Sequence, residues 1–495
     1  MTAATATRSK ASGKPVRWRR IGVIDVGSNS VRLVVYDVRG RAMQPRFNEK
    51  VLAGLGKGLN GSGKLNREGV DVTLSALARF ASITRAQKVE TLHAFATAAV
   101  REAGDGKEFV ERVRKETGIT LRILTGDDEA RYAAQGVLAG SPGVDGVAGD
   151  LGGSSLELAR LVNGKYEGGS TYPLGPLALD TGGSFNEDKI LDKVKDILSG
   201  ASELKKSGDV FFAVGGAWRA IGTIHMELTR APLHMLQNYE MDAGKLIDIL
   251  EELMGGKKHA DIVQEVARRR ASTIPYAAAV LKTVIVLGKF KSVMISSYGV
   301  REGIIFDNLD EDERREDPLD AGLDALVADD HAAEFGRALA EWASEASPYT
   351  LNARLSAAAC RLVDIGALLH PDHRADLAFD LVARAPLPGL NHRDRAALAL
   401  AVASRFKRNV DYPVSDALLD NATKAKARAL GALMRLAADF SGRSAALLKH
   451  AKLTCDGDTL ELKVAAPYRA LVSESVERRL EQAADELDMD YSLTT

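Results

Sequence analysis

IGVIDVGSNSVRLVVYDVRG, residues 21–40, decides the fold of this chain, because two apolar runs flank the turn Asp-Val-Gly-Ser-Asn-Ser. β-Branched residues dominate both runs, which predicts a β-hairpin over residues 21–38. The same design returns at residues 146–165, GVAGDLGGSSLELARLVNGK, as a strand, an Asp-Leu-Gly-Gly-Ser-Ser turn and a second strand. Either turn alone is typical of an ordinary hairpin. Together they indicate an internal duplication.

Length and composition indicate an ordinary multidomain protein. The chain has 495 residues, of which 45% are hydrophobic and 27% charged, and its formal net charge is −1. This length predicts about three or four domains. The balanced charge and the lack of a long apolar stretch predict no membrane partner and no specific nucleic-acid partner. Two distant cysteines, Cys360 and Cys455, indicate a reducing compartment without a disulfide framework, so we expect a cytoplasmic protein with Cys360 in a helical core.

Composition and periodicity also divide the chain into segments. Strands, one of them predicted over 119–126, alternate with helices predicted over 69–89, 105–118 and 127–140, which favours an α/β domain. The first residues are basic and lack the apolar region of a secretory signal, so we expect a disordered arm, with a nucleic-acid-binding tail as the alternative. The predicted segments are a basic arm at 1–19, α/β domains at 20–145 and 146–309, a charged linker at 310–320, a helical domain at 321–449 and a small α+β domain at 450–495.

The turns of both predicted hairpins suit an anionic ligand. A glycine/serine turn exposes backbone N–H groups in a concavity, and serine adds hydroxyl donors. Carboxylates beside that concavity would repel phosphate unless a hard divalent cation lies between them, and Mg²⁺ is the usual one. Asp25 and Asp150 are therefore candidate metal ligands, with turn-capping aspartates as the alternative. A third turn, Gly215-Gly216, precedes a helix and suits either a bound phosphate or a plain strand-to-helix connection.

Seven stretches, taken in order, resemble the exopolyphosphatase/guanosine pentaphosphate phosphohydrolase (Ppx/GppA) family. They are IDVGSNSVRLVVYD, FATAAVREA, ILTGDDEARYAAQGV, GDLGGSSLELARL, YPLGPLAL, AVGGAWRAIG and SSYGVREGIIFD, and they cover roughly residues 20–307. The ordered set makes the resemblance specific, which no single stretch would do. The resemblance implies the duplicated actin-like, acetate-kinase-like fold of ribonuclease-H-type α/β domains, in a long exopolyphosphatase-like member of the family.

The resemblance also implies a catalytic pair of acids. Glu129, in GDDEARY, matches the family's general base, which activates water for attack on a terminal phosphorus. Many members have two glutamates here, whereas this chain has Asp128 before Glu129. Glu157 matches a second acidic position that orients water or metal, and strand alternation places it on the same face as Ser155. The alternative for Glu129 is that its negative charge only stabilises the helix N-terminus. The alternative for Glu157 is a strand residue that faces solvent.

Further matched positions would bind substrate and metal. Arg101 matches an arginine beside the phosphates, where a guanidinium binds phosphate oxygens in pairs; its alternative is a surface ion pair with Glu102 or Asp105. Asp25, Asp150 and Glu157 would hold Mg²⁺ or Mn²⁺, and a monovalent cation such as K⁺ is a further candidate. Arg269 lies in the basic run ARRRAST, which is also typical of a solvated face. The remaining candidate substrate ligands are Gly27, Ser28, Asn29, Ser30, Gly152, Gly153, Ser154, Ser155, Gly215 and Gly216.

The C-terminal half has a different character. Its alanine- and leucine-rich stretch resembles the helical domain of long family members, which is similar to HD-type phosphohydrolase domains. Asp364 follows a valine where an active HD domain has histidine before aspartate, so a structural role is favoured over a metal site. The last residues predict two strands joined at Asp456-Gly457 and an amphipathic helix, a unit suited to a long polyanion or to dimer formation. The candidate metal ligands in the helical stretch are His370, Asp372, His373 and His392.

These inferences lead to one expected function and three alternatives. We expect a homodimeric exopolyphosphatase that uses Mg²⁺ and removes terminal phosphate from inorganic polyphosphate processively. The nearest alternative substrate is pppGpp. A phosphotransferase that passes phosphate from polyphosphate to a nucleotide, and a non-catalytic sensor of ppGpp or pppGpp, are the alternatives of other classes.

Overall fold

The computed structural model describes residues 17–180, 184–205, 208–327 and 329–495. Of the predicted disordered arm at 1–19, residues 1–16 lie outside the described residues. Among the described residues no single helix is both long and apolar enough to cross a membrane; one helix pair, Ala260–Arg270 with Ile274–Gly288, meets the length and composition criteria together but bends by 97°.

The first α/β domain is a five-stranded sheet with helices. Its strand order is β3-β2-β1-β4-β5. Strands β1 and β2 pair antiparallel, with Asp25 opposite Arg32, which confirms the first predicted hairpin. Strands β1 and β4 are parallel. The strands are β1 (Arg19–Val26), β2 (Ser30–Arg39), β3 (Ala42–Leu52), β4 (Thr91–Ala96) and β5 (Arg122–Ile123), and the helices are α1 (Leu59–Ser62), α2 (Arg67–Ala86), α3 (Ala98–Glu102), α4 (Gly106–Thr117) and α5 (Gly126–Gly140).

The second α/β domain repeats this layout. Its sheet has the order β10-β11-β9-β6-β7-β8, in which β8-β7-β6-β9 corresponds to β3-β2-β1-β4 of the first. Asp150 lies opposite Glu157 in the second predicted hairpin, which is confirmed. The shared order is what a duplication requires; the duplication itself stays a prediction. The strands are β6 (Gly146–Leu151), β7 (Leu156–Val162), β8 (Lys165–Tyr172), β9 (Val210–Val214), β10 (Tyr239–Asp242) and β11 (Ser292–Ile295), and the helices are α6 (Pro176–Leu179), α7 (Glu187–Leu198), α8 (Gly216–Thr229), α9 (Ala243–Met254), α10 (Ala260–Ala267), α11 (Ile274–Gly288) and α12 (Val300–Asp307), with 3-10 turns at Ser202–Leu204 and Arg268–Arg270.

Helices α5 and α12 join the two α/β domains. A Cβ atom on Gly303 of α12 would overlap the Tyr132 carbonyl of α5, and one on Gly136 of α5 would overlap the backbone of Gly299. The two helices therefore touch backbone to backbone, which only glycine allows. A shared apolar core with side chains from both sheets surrounds the crossing. This packing brings the N-terminal ends of α5 and α12 to the same region between the sheets.

The described residues from 311 to 449 are helical apart from their connections. One apolar core contains buried residues from Leu319 to Leu487, together with Leu233 of the second α/β domain, and joins this helical region to the C-terminal one. Cys360 is buried in it, as predicted. The domain boundaries and the relation to HD domains stay predictions. The helices are α13 (Glu311–Arg315), α14 (Pro318–Leu326), α15 (Asp330–Trp342), α16 (Ala353–Arg361), α17 (Arg374–Arg384), α18 (His392–Phe406), α19 (Pro413–Leu418), α20 (Asn421–Ser441) and α21 (Ala445–Leu448), with a 3-10 segment at Ala343–Tyr349.

The predicted linker at 310–320 contains α13 and the start of α14. It forms polar contacts with the first α/β domain. Arg19 forms an ion pair with Glu313 at 2.6 Å. The buried Arg41 guanidinium donates to the Glu316 carbonyl oxygen at 2.9 Å. The segment therefore contacts the domain that precedes it through specific polar interactions.

The C-terminal residues form a three-stranded sheet with one long helix. The predicted hairpin at Asp456-Gly457 and the predicted helix are both present, and a third strand, parallel to the second, was not predicted. Cys455 in this sheet is partly exposed. The elements are β12 (Ala451–Asp456), β13 (Thr459–Val464), a 3-10 turn at Ala466–Leu471, α22 (Glu474–Leu487) and β14 (Asp490–Thr494), in the sheet order β12-β13-β14.

Candidate active site

A cleft of about 1730 Å³, including the solvent in its open mouth, lies between the two hairpin turns. Its lining contains every residue predicted for the site except Arg101. The predicted residues that line it are Asp25, Gly27, Ser28, Asn29, Ser30, Glu129, Asp150, Gly152, Gly153, Ser154, Ser155, Glu157, Gly215, Gly216 and Arg269.

The two turns have matching internal hydrogen bonds. Gly27 N–H donates to the Ser30 carbonyl oxygen at 3.0 Å, and Gly152 N–H donates to the Ser155 carbonyl oxygen at 2.9 Å. Each turn is thus closed at its base by the same bond, so that its two central residues stand at the tip. Equivalent sequence positions therefore have equivalent geometry, as the repeated motif predicts.

The tips of the turns meet across the cleft. The Ser154 hydroxyl donates to the Ser28 hydroxyl oxygen at 3.2 Å. Among the described residues, no acceptor is paired with the backbone N–H groups of Ser28, Asn29, Gly153 and Ser154. Free N–H groups in facing turns, together with two hydroxyls, suit the oxygens of an anion bound between them.

The third glycine turn lies beneath the second hairpin. Gly215 has a φ of 102°, and a Cβ there would be 2.5 Å from the Leu151 carbonyl oxygen and 2.9 Å from Asp150 Oδ1. Glycine is therefore required for the backbone to pass under Asp150. A Cβ on Gly216 would overlap the guanidinium of Arg270, so this turn places an arginine against the start of α8.

Glu129 and Arg101 form the most specific polar contact of the site. The Thr125 hydroxyl caps helix α5 by accepting from Asp128 N–H at 3.1 Å, and Glu129 follows in the first turn. Arg101 Nη1 donates to Glu129 Oε1 and to the Leu124 carbonyl oxygen at 2.9 Å. The alternative partner Glu102 is 3.9 Å from Arg101 Nη2. Arg101 thus lies behind Glu129, which itself lines the cleft.

Burial weakens the acidity of the carboxyl groups in the cleft. Burial raises the pKa of Glu129 to about 7, although the hydrogen bond from Arg101 opposes the rise. Burial raises the pKa of Asp150 to about 6, with repulsion from Asp25 adding to it. Burial and the negative charge of Glu129 raise the pKa of Glu157 far above its usual range. Two of these groups can therefore change protonation near neutral pH.

The carboxylates of the cleft fit a metal ion only when a phosphate also supplies oxygen ligands to that ion. Among the described residues, no three His, Cys, Asp or Glu side chains are arranged to hold a metal ion. However, Glu157 Oε1 is buried without a hydrogen-bond partner in this part of the chain. Mg²⁺ usually keeps several waters and takes one or two carboxylates together with substrate phosphates. The residues present therefore fit a magnesium ion that is held jointly by protein and phosphate.

Several basic side chains of the cleft were missed from the sequence. Arg32 occupies the position after the first turn that Glu157 occupies after the second, so strand alternation could have identified it. Lys50 lies opposite Arg32 on β3, a strand that the sequence did not predict. The residues missed are Arg32, Lys50, Arg219, Arg270 and Arg301, which with Arg269 make six basic residues against four acidic ones in the lining.

Arg301 lies at the start of α12, beside Asp25 and next to a buried hydrogen-bond network. Its side chain is 3.9 Å from Asp25 Oδ2, and its Nε is buried with no hydrogen-bond partner among the described residues. The neighbouring Glu302 accepts from the Tyr36 hydroxyl and, at 2.9 Å, from Gly299 N–H. The negative charge of Glu302 helps to raise the pKa of Arg301, although burial opposes it. Arg301 is thus a fixed positive charge beside the carboxylates.

The histidines of the helical region do not form a metal site with one another. His392 Nε2 is 2.9 Å from the Met235 carbonyl oxygen, and burial lowers its pKa to about 4. His370 and Asp372 are exposed, with 3.7 Å between Nδ1 and Oδ2. His392 therefore packs against the second α/β domain, whereas the pair at 370 and 372 faces solvent.

Comparisons with known proteins agree with this architecture. The Ppx/GppA phosphatase family model matches residues 34–312, and the model for the exopolyphosphatase C-terminal domain matches residues 328–491. Exopolyphosphatase 1 of Mycobacterium leprae is 39% identical over 159 residues, which are 32% of this chain and 47% of that protein. Retrograde regulation protein 2 of Saccharomyces cerevisiae is 25% identical over 433 residues, 79% of this chain and 73% of that protein. The chain spans about half the length of the first of these relatives.

Solved structures support the same fold. A Ppx/GppA family member from Aquifex aeolicus superposes with a TM-score of 0.53 at 22% identity, over 59% of this chain and all of that one. An exopolyphosphatase from Cytophaga hutchinsonii gives a TM-score of 0.53 at 21% identity, over 58% of this chain and 97% of that one. The predicted actin-like type of α/β fold is confirmed.

Proposed function

The chain belongs to the Ppx/GppA phosphatase family, and on that premise we propose that it is an exopolyphosphatase, which hydrolyses the terminal phosphate of inorganic polyphosphate. The observation that carries the proposal is the part-buried Glu129–Arg101 pair at the edge of a cleft in which two glycine/serine turns with unpaired N–H groups face each other. This arrangement supplies a general base next to a site for phosphate oxygens.

The terminal phosphates would bind between the two turns. Unpaired backbone N–H groups and the hydroxyls of Ser28 and Ser154 would donate to phosphate oxygens, as in other turns that bind anions. Arg219 and Arg301 lie beside the carboxylates and would neutralise charge on the same phosphate. The exposed Arg269 and its neighbour Arg270 extend the positive lining along the cleft, which suits the rest of a long polyanion.

Glu129 would then act on a water molecule. A carboxylate with a pKa of about 7 is half ionised near neutral pH and is matched to general-base catalysis there. Glu129 would take one proton while the water oxygen bonds to the terminal phosphorus. The bridging P–O bond breaks, and its electron pair leaves on the shortened chain. Arg101 orients the carboxylate throughout, and Arg219 and Arg301 stabilise the charge that develops on the phosphate.

We further propose Asp25, Asp150 and Glu157 as the side chains that would hold Mg²⁺ together with the substrate. The ion would neutralise phosphate charge and so relieve repulsion between the substrate and these carboxylates. Mn²⁺ would suit the same oxygen ligands. A homodimer and an HD-related origin of the helical region belong to the same proposal.

Phosphate release tests the function directly. Wild type and Glu129→Gln are incubated with Mg²⁺ and either long-chain polyphosphate or pppGpp. We expect processive release from polyphosphate, reduced at least about 100-fold in the variant because the base is lost. Glu102→Gln is the matched control, since Glu102 is also near Arg101 but does not line the cleft.

Each other outcome points to a different function. Preferential hydrolysis of pppGpp would keep the mechanism and change the substrate. Formation of a phosphorylated nucleotide would indicate a phosphotransferase. Tight binding of guanosine polyphosphates without turnover, unchanged by Glu129→Gln, would indicate a sensor. Equal activity of wild type and Glu129→Gln would refute Glu129 as the base.

A further inference from the structure

Thr171, on strand β8, carries a buried hydroxyl for which neither the fold nor the proposed mechanism has a use. Its oxygen has no hydrogen-bond partner in the part of the chain that the structure describes. A Cβ atom on Gly126, the first residue of helix α5, would overlap this oxygen. The Thr171 hydroxyl therefore lies against the start of the helix that carries Glu129 one turn later.

The register of the second sheet places Thr171 next to Glu157. Asp150 on β6 lies opposite Glu157 on β7, and Glu157 lies opposite Thr171 on β8. The side chains of directly opposite residues in antiparallel strands share one face of the sheet, with their Cβ atoms about 4.5–5.5 Å apart. The three side chains therefore form one row. Asp150 and Glu157 line the cleft, and Thr171 lies behind Glu157, outside that lining.

Glu157 has the complementary unpaired atom. The residue is only 3% exposed, and its Oε1 is buried with no hydrogen-bond partner among the described residues. A carboxylate oxygen accepts hydrogen bonds, and a threonine hydroxyl donates one. Buried polar atoms without partners are uncommon, because each has given up the hydrogen bond that it makes to water in the unfolded chain. Here a donor and an acceptor are both unpaired on neighbouring residues of one face.

We propose that Thr171 is a positioning residue for Glu157, whose carboxylate it holds in the orientation that faces the cleft by donating its hydroxyl to Oε1. The hydroxyl would reach Glu157 from Gly126 by rotation about the Cα–Cβ bond of Thr171, between staggered rotamers. A carboxylate oxygen has two lone pairs, so Oε1 can take this hydrogen bond and still bind a metal ion. The inference rests on the proposed function, in which Glu157 holds Mg²⁺ together with the substrate. Hydrogen bonds from outer residues fix the orientation of carboxylates that bind metals.

The competing explanation is that Thr171 only caps helix α5 or packs against it. The cap is already supplied, because the Thr125 hydroxyl accepts from Asp128 N–H at 3.1 Å at the same helix end. Packing alone would favour valine, which has nearly the same shape as threonine and no hydroxyl to bury. Neither role accounts for the unpaired Oε1 of Glu157 beside the unpaired Thr171 hydroxyl.

Mg²⁺ binding by Thr171 variants of the full chain tests the proposal. Thr171→Val removes the hydroxyl and nearly keeps the shape, whereas Thr171→Ser keeps the hydroxyl. Thermal unfolding is followed at increasing Mg²⁺ in the presence of orthophosphate, which supplies the phosphate oxygens. Thr171→Val should raise the Mg²⁺ concentration that gives half-maximal stabilisation by about 10- to 100-fold, the usual effect of losing an outer partner of a metal ligand. Thr171→Ser should stay within about threefold of wild type.

Kinetics of phosphate release from polyphosphate at saturating Mg²⁺ give a second readout. Thr171→Val should lower kcat by about 10-fold with KM nearly unchanged, because the groups that bind polyphosphate remain in place. Thr73→Val is the matched control. The Thr73 hydroxyl on α2 is also buried without a partner in the described ranges, but Thr73 does not line the cleft. Without Mg²⁺, neither valine variant should lower the unfolding midpoint, because each removes a buried hydroxyl that forms no hydrogen bond.

Glu157→Gln separates this proposal from the proposed function on which it rests. Weaker Mg²⁺ responses in Glu157→Gln and Thr171→Val, with recovery in Thr171→Ser, support the proposal. A weaker response in Glu157→Gln alone overturns the role of Thr171 and leaves Glu157 as a ligand. An unchanged response in Glu157→Gln overturns the role of Glu157 and with it that of Thr171. A response that Thr171→Ser fails to restore, or a lowered midpoint of Thr171→Val without Mg²⁺, would make the role of Thr171 one of packing and would also overturn the proposal.

Discussion

The pairing of Arg101 with Glu129 predicts that Arg101→Gln moves the acidic limb of the pH–activity profile. Burial raises the pKa of Glu129, and the Arg101 hydrogen bond and charge lower it, for a result of about 7. Removing Arg101 leaves the burial effect unopposed, so the pKa of Glu129 rises. A general base works only as the carboxylate. The pH below which activity is lost should therefore move upward.

The size of the shift follows from the contact. A hydrogen bond to a charged group contributes about 1.5–3 kcal/mol, and one pKa unit corresponds to about 1.4 kcal/mol. The Arg101 side chain is 23% exposed next to an open cleft, which favours the lower value. We therefore expect the limb to move by about one unit, to about pH 8. After normalisation to the alkaline plateau, this lowers activity about fivefold at neutral pH and hardly at all near pH 9.

The assay is kcat/KM for phosphate release from polyphosphate, measured from about pH 5.5 to 9.5, because this ratio reports the ionisations of the free enzyme. A uniform loss at every pH would reflect weaker phosphate binding, whereas a displaced limb reflects Glu129. Arg122→Gln is the control, since Arg122 pairs with Asp128, the residue before Glu129, at 2.8 Å. A limb that stays in place or moves to lower pH in Arg101→Gln would refute the reasoning.

Two further predictions concern stability. The folded-state pKa of Asp150 is raised to about 6 from 3.8, so stability falls as pH rises between these values. Asp150→Asn should therefore stabilise the metal-free protein above about pH 6 by up to about 3 kcal/mol and should abolish stabilisation by Mg²⁺. Thermal melts with and without Mg²⁺ test this, and an equal Mg²⁺ effect in both proteins would contradict it. Gly215→Ala should cost at least about 2 kcal/mol in denaturant unfolding, because its φ is positive and a Cβ meets the Leu151 carbonyl. Gly200→Ala, where a Cβ meets nothing within 4 Å, should stay within about 0.5 kcal/mol, and equal losses would contradict the explanation.

Local periodicity was enough to predict the elements that carry the hairpins and the amphipathic helices. Helix α2 was expected over 69–89 and spans Arg67–Ala86, and Gly118 ends α4 with a φ of 75°, as the glycine there predicts. Strand β3 was missed because it carries Pro45 and is mostly exposed along its second half. Strand β5 was predicted over 119–126, yet only Arg122–Ile123 pair with β4 as a strand. Leu121 and Leu124 on either side are buried, and Leu124 N–H still donates to the Ala96 carbonyl oxygen of β4 at 2.9 Å.

The site residues also fall into those that the sequence predicts and those that only the structure reveals. Repetition of one motif was enough to predict Asp25 and Asp150, because equivalent hairpins place them at equivalent positions. Lys50 could not be predicted, since it reaches the cleft through its pairing with Arg32 on a strand without a clear sequence pattern. The pairing of Arg101 with Glu129 joins two elements 28 residues apart and needs the tertiary structure.

The α5–α12 crossing explains why these parts meet. Glu129 lies in the first turn of α5 and Arg301 in the first turn of α12, so their positions relative to the hairpins depend on how closely the two helices approach. Gly136 and Gly303 allow backbone contact there, and any larger side chain would force the helices apart. Because protein interiors deform little, that separation would move the base and the fixed positive charge away from the turns. Two glycines outside the cleft thus set the geometry inside it, which a motif taken from the cleft alone cannot convey.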